Sequence, residues 1–195
     1  MKILAFIDVH SNPKSIQRLL KKAGGVDIIV GAGDLSDWGK DIKKVLSRFN
    51  GIKKPFLVLH GNHESEKAMR KVCSDLKFTT FLHKSVFEFN GYTFVGYGGG
   101  GFAYEDPEFD KFYKGLKLKK DSKVVLVTHA PPYGTKCDYL PHAGFVGCKS
   151  FNRMIKEVKP LLHIFGHIHE NACCKDKIGT TIIINPGPDG KIIRI

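Results

Sequence analysis

Residues 3–10 of this 195-residue chain read ILAFIDVH, an apolar run followed directly by an aspartate and, two positions later, by a histidine. Apolar runs of about 4–8 residues bounded by polar residues or glycine are typical of buried strands. The same pattern, a short apolar run and then metal-binding residue types, recurs along the chain. The runs cover residues 3–7, 28–30, 56–59, 124–127 and 161–165.

Each run leads into a short cluster of acidic, amide or histidine residues. The clusters are Asp8-Val9-His10, Gly33-Asp34-Leu35-Ser36-Asp37, Gly61-Asn62-His63-Glu64, Thr128-His129-Ala130 and Gly166-His167-Ile168-His169. Open α/β sheets bind ligands at the carboxyl ends of their strands. We therefore expect the clusters to meet at one edge of a sheet and to form a metal centre.

The order of predicted elements indicates an α/β fold in a single domain, residues 1–195. In the first third, strands alternate with helices predicted at 15–23, 42–49 and 66–76, which implies parallel strands with helical crossovers. Later elements include an antiparallel pair around the turn Asn90-Gly91. These later elements are strands at 81–89, 92–95, 124–127 and 161–165, a helix at 150–158, and antiparallel strands at 172–175, 181–185 and 191–195. A mixed sheet, or two sheets packed face to face under helices, is expected.

The glycine run at residues 96–101 matches the dinucleotide-binding pattern G-x-G-x-x-G. That pattern belongs to a strand-to-helix turn at the start of a βαβ unit. Here it follows a hairpin and precedes a segment containing Pro107, which we interpret as loop. We therefore predict a flexible loop beside the candidate site and no dinucleotide.

The chain is basic, with 31 Lys and Arg residues against 19 Asp and Glu residues and a net charge of +12. A positive surface favours anionic partners such as phosphate esters. The lysines are scattered and form no single stripe, so a solvated surface is favoured over a nucleic-acid track. A nucleic-acid partner is therefore possible but not favoured.

Compartment and redox state can also be predicted. No apolar run approaches the ~20 residues that span a bilayer, and the first run ends at Asp8 without a cleavage site. We expect a cytoplasmic protein with no membrane partner. Its five cysteines are odd in number and lack C-x-x-C spacing, so all are expected to be reduced.

The candidate ligands combine carboxylates, imidazoles and one amide. They are Asp8, His10, Asp34, Asn62, His129, His167 and His169. Such a set suits Mn²⁺, Fe, Zn²⁺, Ni²⁺ or Co²⁺ better than Ca²⁺. Seven ligands are too many for one ion with an open position, whereas two ions ~3.5–4 Å apart that share a carboxylate would use them all. Of the remaining histidines, His60 and His163 are expected in the core, and His83 and His142 at the surface or in loops.

Taken in order, the clusters resemble the calcineurin-like metallophosphoesterase superfamily, whose pattern is D-x-H, G-D-x-x-D, G-N-H-[DE], a lone His and G-H-x-H. Every block is present between Asp8 and His169. The sequence most resembles the small bacterial and archaeal members of the superfamily that have no large cap. The resemblance implies a four-layer α-β-β-α sandwich of two mixed sheets. It also implies hydrolysis of a phosphodiester or phosphomonoester by a hydroxide that bridges two divalent ions, with Mn²⁺ favoured and a small diester as first choice.

The resemblance further assigns roles to residues. One metal is held by Asp8, His10, Asp34 and His169, and the other by Asp34, Asn62, His129 and His167, so that Asp34 bridges. His63 faces the substrate as a catalytic residue and Asp37 orients it, although Asp37 is also a candidate helix cap. Trp38 stands where phosphoprotein phosphatases carry an arginine, which argues against that branch.

Two other functions fit parts of the sequence. A nuclease of the same superfamily would suit the charge of +12, but it would need an extended basic groove. A non-catalytic interaction scaffold on this fold would have lost metal ligands, and here every ligand type is intact.

Overall fold

The computed structural model describes residues 1–195, with thirteen strands and five α-helices. The strands are β1 (Lys2–Phe6), β2 (Ile28–Gly31), β3 (Phe56–Val58), β4 (Thr79–Phe81), β5 (Ser85–Phe89), β6 (Tyr92–Tyr97), β7 (Lys123–Thr128), β8 (Tyr139–Leu140), β9 (Gly144–Phe145), β10 (Leu162–Ile164), β11 (Lys175–Ile178), β12 (Thr181–Ile184) and β13 (Lys191–Arg194). The helices are α1 (Pro13–Ala23), α2 (Ile42–Asn50), α3 (Glu66–Ser74), α4 (Pro107–Lys114) and α5 (Lys149–Val158). None of them is both long and apolar enough to cross a membrane.

Two mixed sheets form the centre of the molecule. Sheet 1 has the order β13-β1-β2-β3-β4, in which β1 to β4 are parallel and β13 runs antiparallel to β1. Sheet 2 has the order β11-β12-β10-β7-β6-β5, with parallel inner strands and antiparallel edge strands. The parallel strands follow from the helical crossovers, since a helix returns the chain to the same end of the sheet.

Three apolar clusters fill the spaces between the layers. Helices α1 to α3 pack on the outer face of sheet 1, where Leu19 and Phe49 are fully buried. The inner faces of the two sheets meet through residues such as Ile3 and Val127. Helices α4 and α5 cover sheet 2, with Phe109 at the centre of that cluster. The expected α-β-β-α sandwich of two mixed sheets is therefore confirmed.

The single strand predicted at 81–89 is wrong, because the chain changes sheets there. Strand β4 belongs to sheet 1 and β5 to sheet 2, and Lys84 between them has φ = 51°. The crossing also corrects His83, which was expected at the surface. Its side chain is buried, and its Nδ1 accepts a hydrogen bond from the Gly98 N–H at 2.9 Å.

Two further elements differ from the sequence prediction. The segment around Pro107 is helix α4 rather than loop, and it begins where the Asp106 carboxylate accepts a hydrogen bond from the Phe109 N–H. Proline in the first turn and an aspartate cap favour this start. The strand predicted at 172–175 is also wrong, because a 3-10 turn occupies His169–Asn171 and β11 begins at Lys175.

The expectation that all five cysteines are reduced is wrong as well. Cys137 and Cys174 form a disulfide across a sequence separation of 37 residues, with their Cα atoms 5.5 Å apart. The loop before β8 and the segment before β11 come together because the Asn171 side chain donates hydrogen bonds to the Cys137 and Tyr139 carbonyls. Cys73, Cys148 and Cys173 are free.

His60 and His163 are buried, as expected for core residues. His163 lies on β10, and its Nε2 is 2.7 Å from the Thr128 hydroxyl. Burial lowers the pKa of His163 to about 3. The unfolded chain, in which a histidine has a pKa of about 6.5, therefore binds one proton more than the folded chain between these two values.

We expect His163 to make the protein acid-sensitive. Because the unfolded state takes up the extra proton, this residue lowers the free energy of unfolding by about 2 kcal/mol between pH 6.5 and pH 5, and has no effect above pH 7. In His163→Gln the fall in the free energy of unfolding between pH 6.5 and pH 5 should therefore be smaller by about 2 kcal/mol. Urea unfolding at several pH values measures it. The exposed His142→Gln is the matched control. An unchanged pH dependence in His163→Gln would contradict the prediction.

Candidate metal centre

The polar clusters converge where strands of both sheets end. Asp8, Asp34 and Asn62 follow β1, β2 and β3 by two to four residues, His129 follows β7 directly, and the last two histidines follow β10. The convergence forms three groups of side chains, and within each group the possible ligand atoms lie within 4.8 Å of one another. They are Asp8 with His10 and His169, Asp34 with His129 and His167, and His10 with Asp37 and His63.

Several of these residues adopt left-handed backbone conformations. The φ angles are 55° at Asp8, 46° at His10, 50° at Asp34 and 70° at His167. Such residues cost about 1–3 kcal/mol each and cluster at functional sites. The turns direct consecutive residues away from the strand direction, so that side chains from five loops reach one place.

Glu64 holds the loops after β2 and β3 together. Its buried carboxylate accepts hydrogen bonds from the backbone N–H groups of Asp34 (3.0 Å), Gly61 (3.1 Å) and Ser36 (2.8 Å). Each loop thereby gains an acceptor for N–H groups that face the interior. The sequence alone predicts no role for Glu64. Its place at the end of the G-N-H-E block was the only signal.

Gly61 permits the close approach of two candidate ligands. A Cβ atom at this position would collide with the Asp34 carboxylate and would lie 2.6 Å from Cε1 of His129. The two side chains therefore pass over bare backbone. Any larger residue at Gly61 would push them apart.

Asp34, Asn62, His129 and His167 form the inner group. The Nδ1–H of His129 donates to the Ala32 carbonyl (3.1 Å), which leaves Nε2 directed at Asn62 Oδ1 (3.0 Å) and Asp34 Oδ2 (3.5 Å). A backbone acceptor that fixes the tautomer in this way is typical of metal-binding histidines. His167 Nδ1 lies 3.0 Å from the same Asn62 oxygen.

Asp8, His10 and His169 form the outer group. His10 Nε2 and His169 Nε2 face each other at 3.2 Å, and His169 Nε2 lies 4.0 Å from Asp8 Oδ1. The other carboxylate oxygen of Asp8 accepts a hydrogen bond from the His167 N–H at 3.0 Å. Asp8 Oδ1 itself is buried without a partner, which is costly unless a cation binds it.

The pKa shifts favour the neutral, metal-binding form at His10 and His167 but not at His129, where burial opposes the charge and the carboxylates of Asp34 and Asp8 outweigh it to raise the pKa. Burial raises the pKa of Asp8 to about 6, because the protein interior stabilises a carboxylate less well than water does. Burial lowers the pKa of His10 and lowers that of His167 to about 4, so both are neutral at pH 7, the form that binds metal. Burial opposes the charge of Asp34, but the contacts and charges of His129 and His63 together outweigh it and hold the pKa of Asp34 at about 2.

His63 lies beside both groups. The backbone N–H of His63 donates a hydrogen bond to Asp34 Oδ1 at 2.9 Å. The imidazole Nδ1 of His63 lies 3.7 Å from Asp37 Oδ1, which is too far for a hydrogen bond. The same oxygen of Asp37 lies 3.6 Å from His10 Nδ1. The exposed ring of Trp38 stacks on the imidazole of His63, with ring centres 4.3 Å apart. Asp37 does not cap α2, because the capping position is Asp41.

The nine candidate site residues predicted from the sequence lie close together, and Glu64 lies among them. The donor set fits divalent cations for a structural reason, since Asp8 Oδ1 is a buried carboxylate oxygen without a hydrogen-bond partner. Asp34 lies in the inner group and its charge also acts on His10 in the outer group. Two-metal phosphatase sites hold two cations side by side, and this donor set offers ligand atoms for such a pair.

Known proteins resemble this chain in sequence and in fold. The family model described as calcineurin-like phosphoesterase matches residues 1–171. An uncharacterized protein of Methanocaldococcus jannaschii is 30% identical, with 96% of this chain and 88% of that protein covered. The phosphopantetheinyl hydrolase of Mycobacterium tuberculosis has a TM-score of 0.67 at 13% identity, covering 95% and 88% of the two chains. An archaeal phosphodiesterase has a TM-score of 0.53 at 16% identity, covering 96% and 84%.

The fold and the site thus define a metal-dependent phosphoester hydrolase. The chain belongs to the calcineurin-like phosphoesterase family, whose members depend on two metal ions.

Proposed function

We propose that the protein hydrolyses a small phosphodiester with the help of two divalent metal ions, with Mn²⁺ favoured. One ion would be held by Asp8, His10, Asp34 and His169, and the other by Asp34, Asn62, His129 and His167. The proposal is supported chiefly by the two sets of converging side chains, Asp34 with His129 and His167, and Asp8 with His10 and His169. Within each set the ligand atoms lie within 4.8 Å of one another. The unpartnered Asp8 Oδ1 supports it, because a buried carboxylate oxygen is costly unless it is paired or hydrogen-bonded, and a bound cation would pair it.

When bound, the two ions would lower the pKa of water and stabilise negative charge on the phosphoryl oxygens. The protein's own side chains supply the remaining functions. His63, 4.0 Å from Asp34 Oδ2, is placed to donate a proton from its imidazole to the leaving oxygen of the ester. Asp37 would keep the His63 ring oriented through its charge.

The proposal is tested by reconstitution. Protein stripped with a chelator and reloaded with Mn²⁺, Fe²⁺, Zn²⁺, Ni²⁺ or Co²⁺ is assayed with bis-(p-nitrophenyl) phosphate, p-nitrophenyl phosphate, cyclic nucleotides and a linear oligonucleotide. We expect metal-dependent hydrolysis that is faster for small diesters than for the monoester or the oligonucleotide. Ile192→Ala, on the outer strand of sheet 1, serves as a matched control. Hydrolysis that survives complete metal removal, or none with any metal, would refute the proposal.

A further inference from the structure

An apolar cleft opens beside the metal centre. It has a volume of about 400 Å³ and is lined by Phe102, Tyr104, Leu140, His142, Phe145 and Val146 with Ala143. This size lies within the ~300–1,000 Å³ of small-molecule sites. Three aromatic residues in its lining are partly exposed to solvent, Phe102 at 65%, Tyr104 at 47% and Phe145 at 44%. Contiguous exposed aromatic surface of this kind marks a binding site.

The cleft is continuous with the metal centre through Phe102. Its ring packs against the His167 imidazole with centres 4.7 Å apart. The glycine-rich loop that precedes it passes the same imidazole, since a Cβ at Gly101 would lie 3.9 Å from His167 Nε2. A substituent on a phosphate held at the centre therefore needs only a short reach to enter the cleft.

Both walls of the cleft are fixed. On one side the Tyr104 carbonyl accepts a hydrogen bond from the Lys149 N–H at 2.8 Å, and Lys149 Nζ lies 4.2 Å from the centre of the Tyr104 ring. On the other side the buried carboxylate of Asp138 accepts hydrogen bonds from the backbone N–H groups of Gly134 (3.0 Å), Thr135 (2.6 Å) and Gly147 (2.9 Å). These three residues lie on either side of the β8–β9 hairpin. Preformed walls lower the entropy lost on binding.

The lining favours a planar ring over an aliphatic chain. Phe102, Tyr104 and Phe145 offer ring faces and edges, on which aromatic groups pack with more stabilisation than their area alone gives. His142 adds one group at the border that can donate or accept a hydrogen bond. A ring with polar edge atoms would use that group, whereas a hydrocarbon chain would not.

We infer that this cleft binds a planar aromatic group on the alcohol side of the phosphate ester and so determines which ester is accepted. The inference rests on the proposed function, because it takes the phosphate to lie at the metal centre. The aromatic group is either the base of a nucleotide or a simple aryl ring, and the two sources share the same stacking chemistry.

Direct binding to the Mn²⁺-loaded protein tests the inference without relying on turnover. Phenylphosphonate, adenosine 5′-monophosphate and methylphosphonate are titrated by calorimetry. We expect the two aromatic probes to bind at least about tenfold more tightly than methylphosphonate. Phe145→Ala, which contacts no candidate ligand, should reduce that preference to less than about threefold with unchanged metal content and methylphosphonate affinity. Ile192→Ala should keep the full preference.

Failure of this inference and failure of the proposed function give different results. An equal affinity for all three probes, or a preference that survives Phe145→Ala, overturns the inference even if hydrolysis of small esters is normal. An inactive protein that retains the aromatic preference refutes the proposed function alone. A loss of AMP affinity but not phenylphosphonate affinity in His142→Ala identifies a nucleobase, and equal effects identify a simple aryl ring. A Phe145→Ala variant that changes only the oligomeric state shows a protein interface instead and overturns the inference.

Discussion

The His63→Ala variant is expected to keep both metal ions and to lose about 10²–10⁴-fold in kcat, the usual range for a positioned acid–base group. The imidazole lies beside Asp34 and Asp37 but outside the inner and outer ligand groups, and only its backbone N–H binds Asp34. Alanine preserves that N–H, so the position of the Asp34 carboxylate is maintained. Metal content by elemental analysis and kcat on reconstituted protein are the measurements.

The leaving group shows which role His63 has. If the imidazole protonates the leaving oxygen, the defect in His63→Ala is smaller for nitrophenyl esters, whose leaving group needs little protonation, than for alkyl esters. Asp37→Asn should give a weaker defect of the same kind, because its carboxylate acts on the ring from 3.7 Å. Equal defects for good and poor leaving groups would exclude a general acid, and metal loss in His63→Ala would indicate a ligand.

Replacing Asp34 with asparagine should empty both metal sites. Asparagine keeps an oxygen that can accept the His63 N–H, now at 2.9 Å, so the loop is expected to retain its shape. It removes the negative charge that both metal ions share in the proposed assignment. The loss of affinity should exceed the ~10–100-fold that is typical of partners lying outside the ligands themselves. Metal content after gel filtration should fall from about two ions per chain towards zero.

Asn62→Ala is the matched control for Asp34→Asn. Asn62 contacts only the inner group, through His129 and His167 at 3.0 Å each. It should weaken one site and leave about one ion per chain. Full occupancy of both sites in Asp34→Asn would show that Asp34 does not bridge.

The position of the site could be predicted from the sequence because strand length and polarity are local properties. A run such as residues 3–7 ends where a buried strand must end, so Asp8 has to lie at the edge of the sheet. The start of helix α4 could also be predicted from Asp106 and Pro107. The neighbouring glycine run led instead to the prediction of a loop. Asp106 and Pro107 are strong start signals of their own.

Other features depend on contacts between distant segments. Glu64 acquires its role only when the loops after β2 and β3 are adjacent, and its sequence position does not reveal which N–H groups it will meet. His83 is buried because the chain changes sheets beside it. The Cys137–Cys174 pairing joins segments whose proximity is set by the tertiary structure rather than by their spacing.

The left-handed backbone at Asp8, His10, Asp34 and His167 has an evolutionary consequence. Glycine tolerates this conformation with no steric penalty, so glycine at any of the four positions would relieve strain while deleting a candidate ligand. Selection for heat resistance alone would thus favour erosion of the centre, and only selection on turnover would oppose it. Lineages that abandoned hydrolysis on this scaffold should therefore carry glycine at these positions more often than at their neighbours.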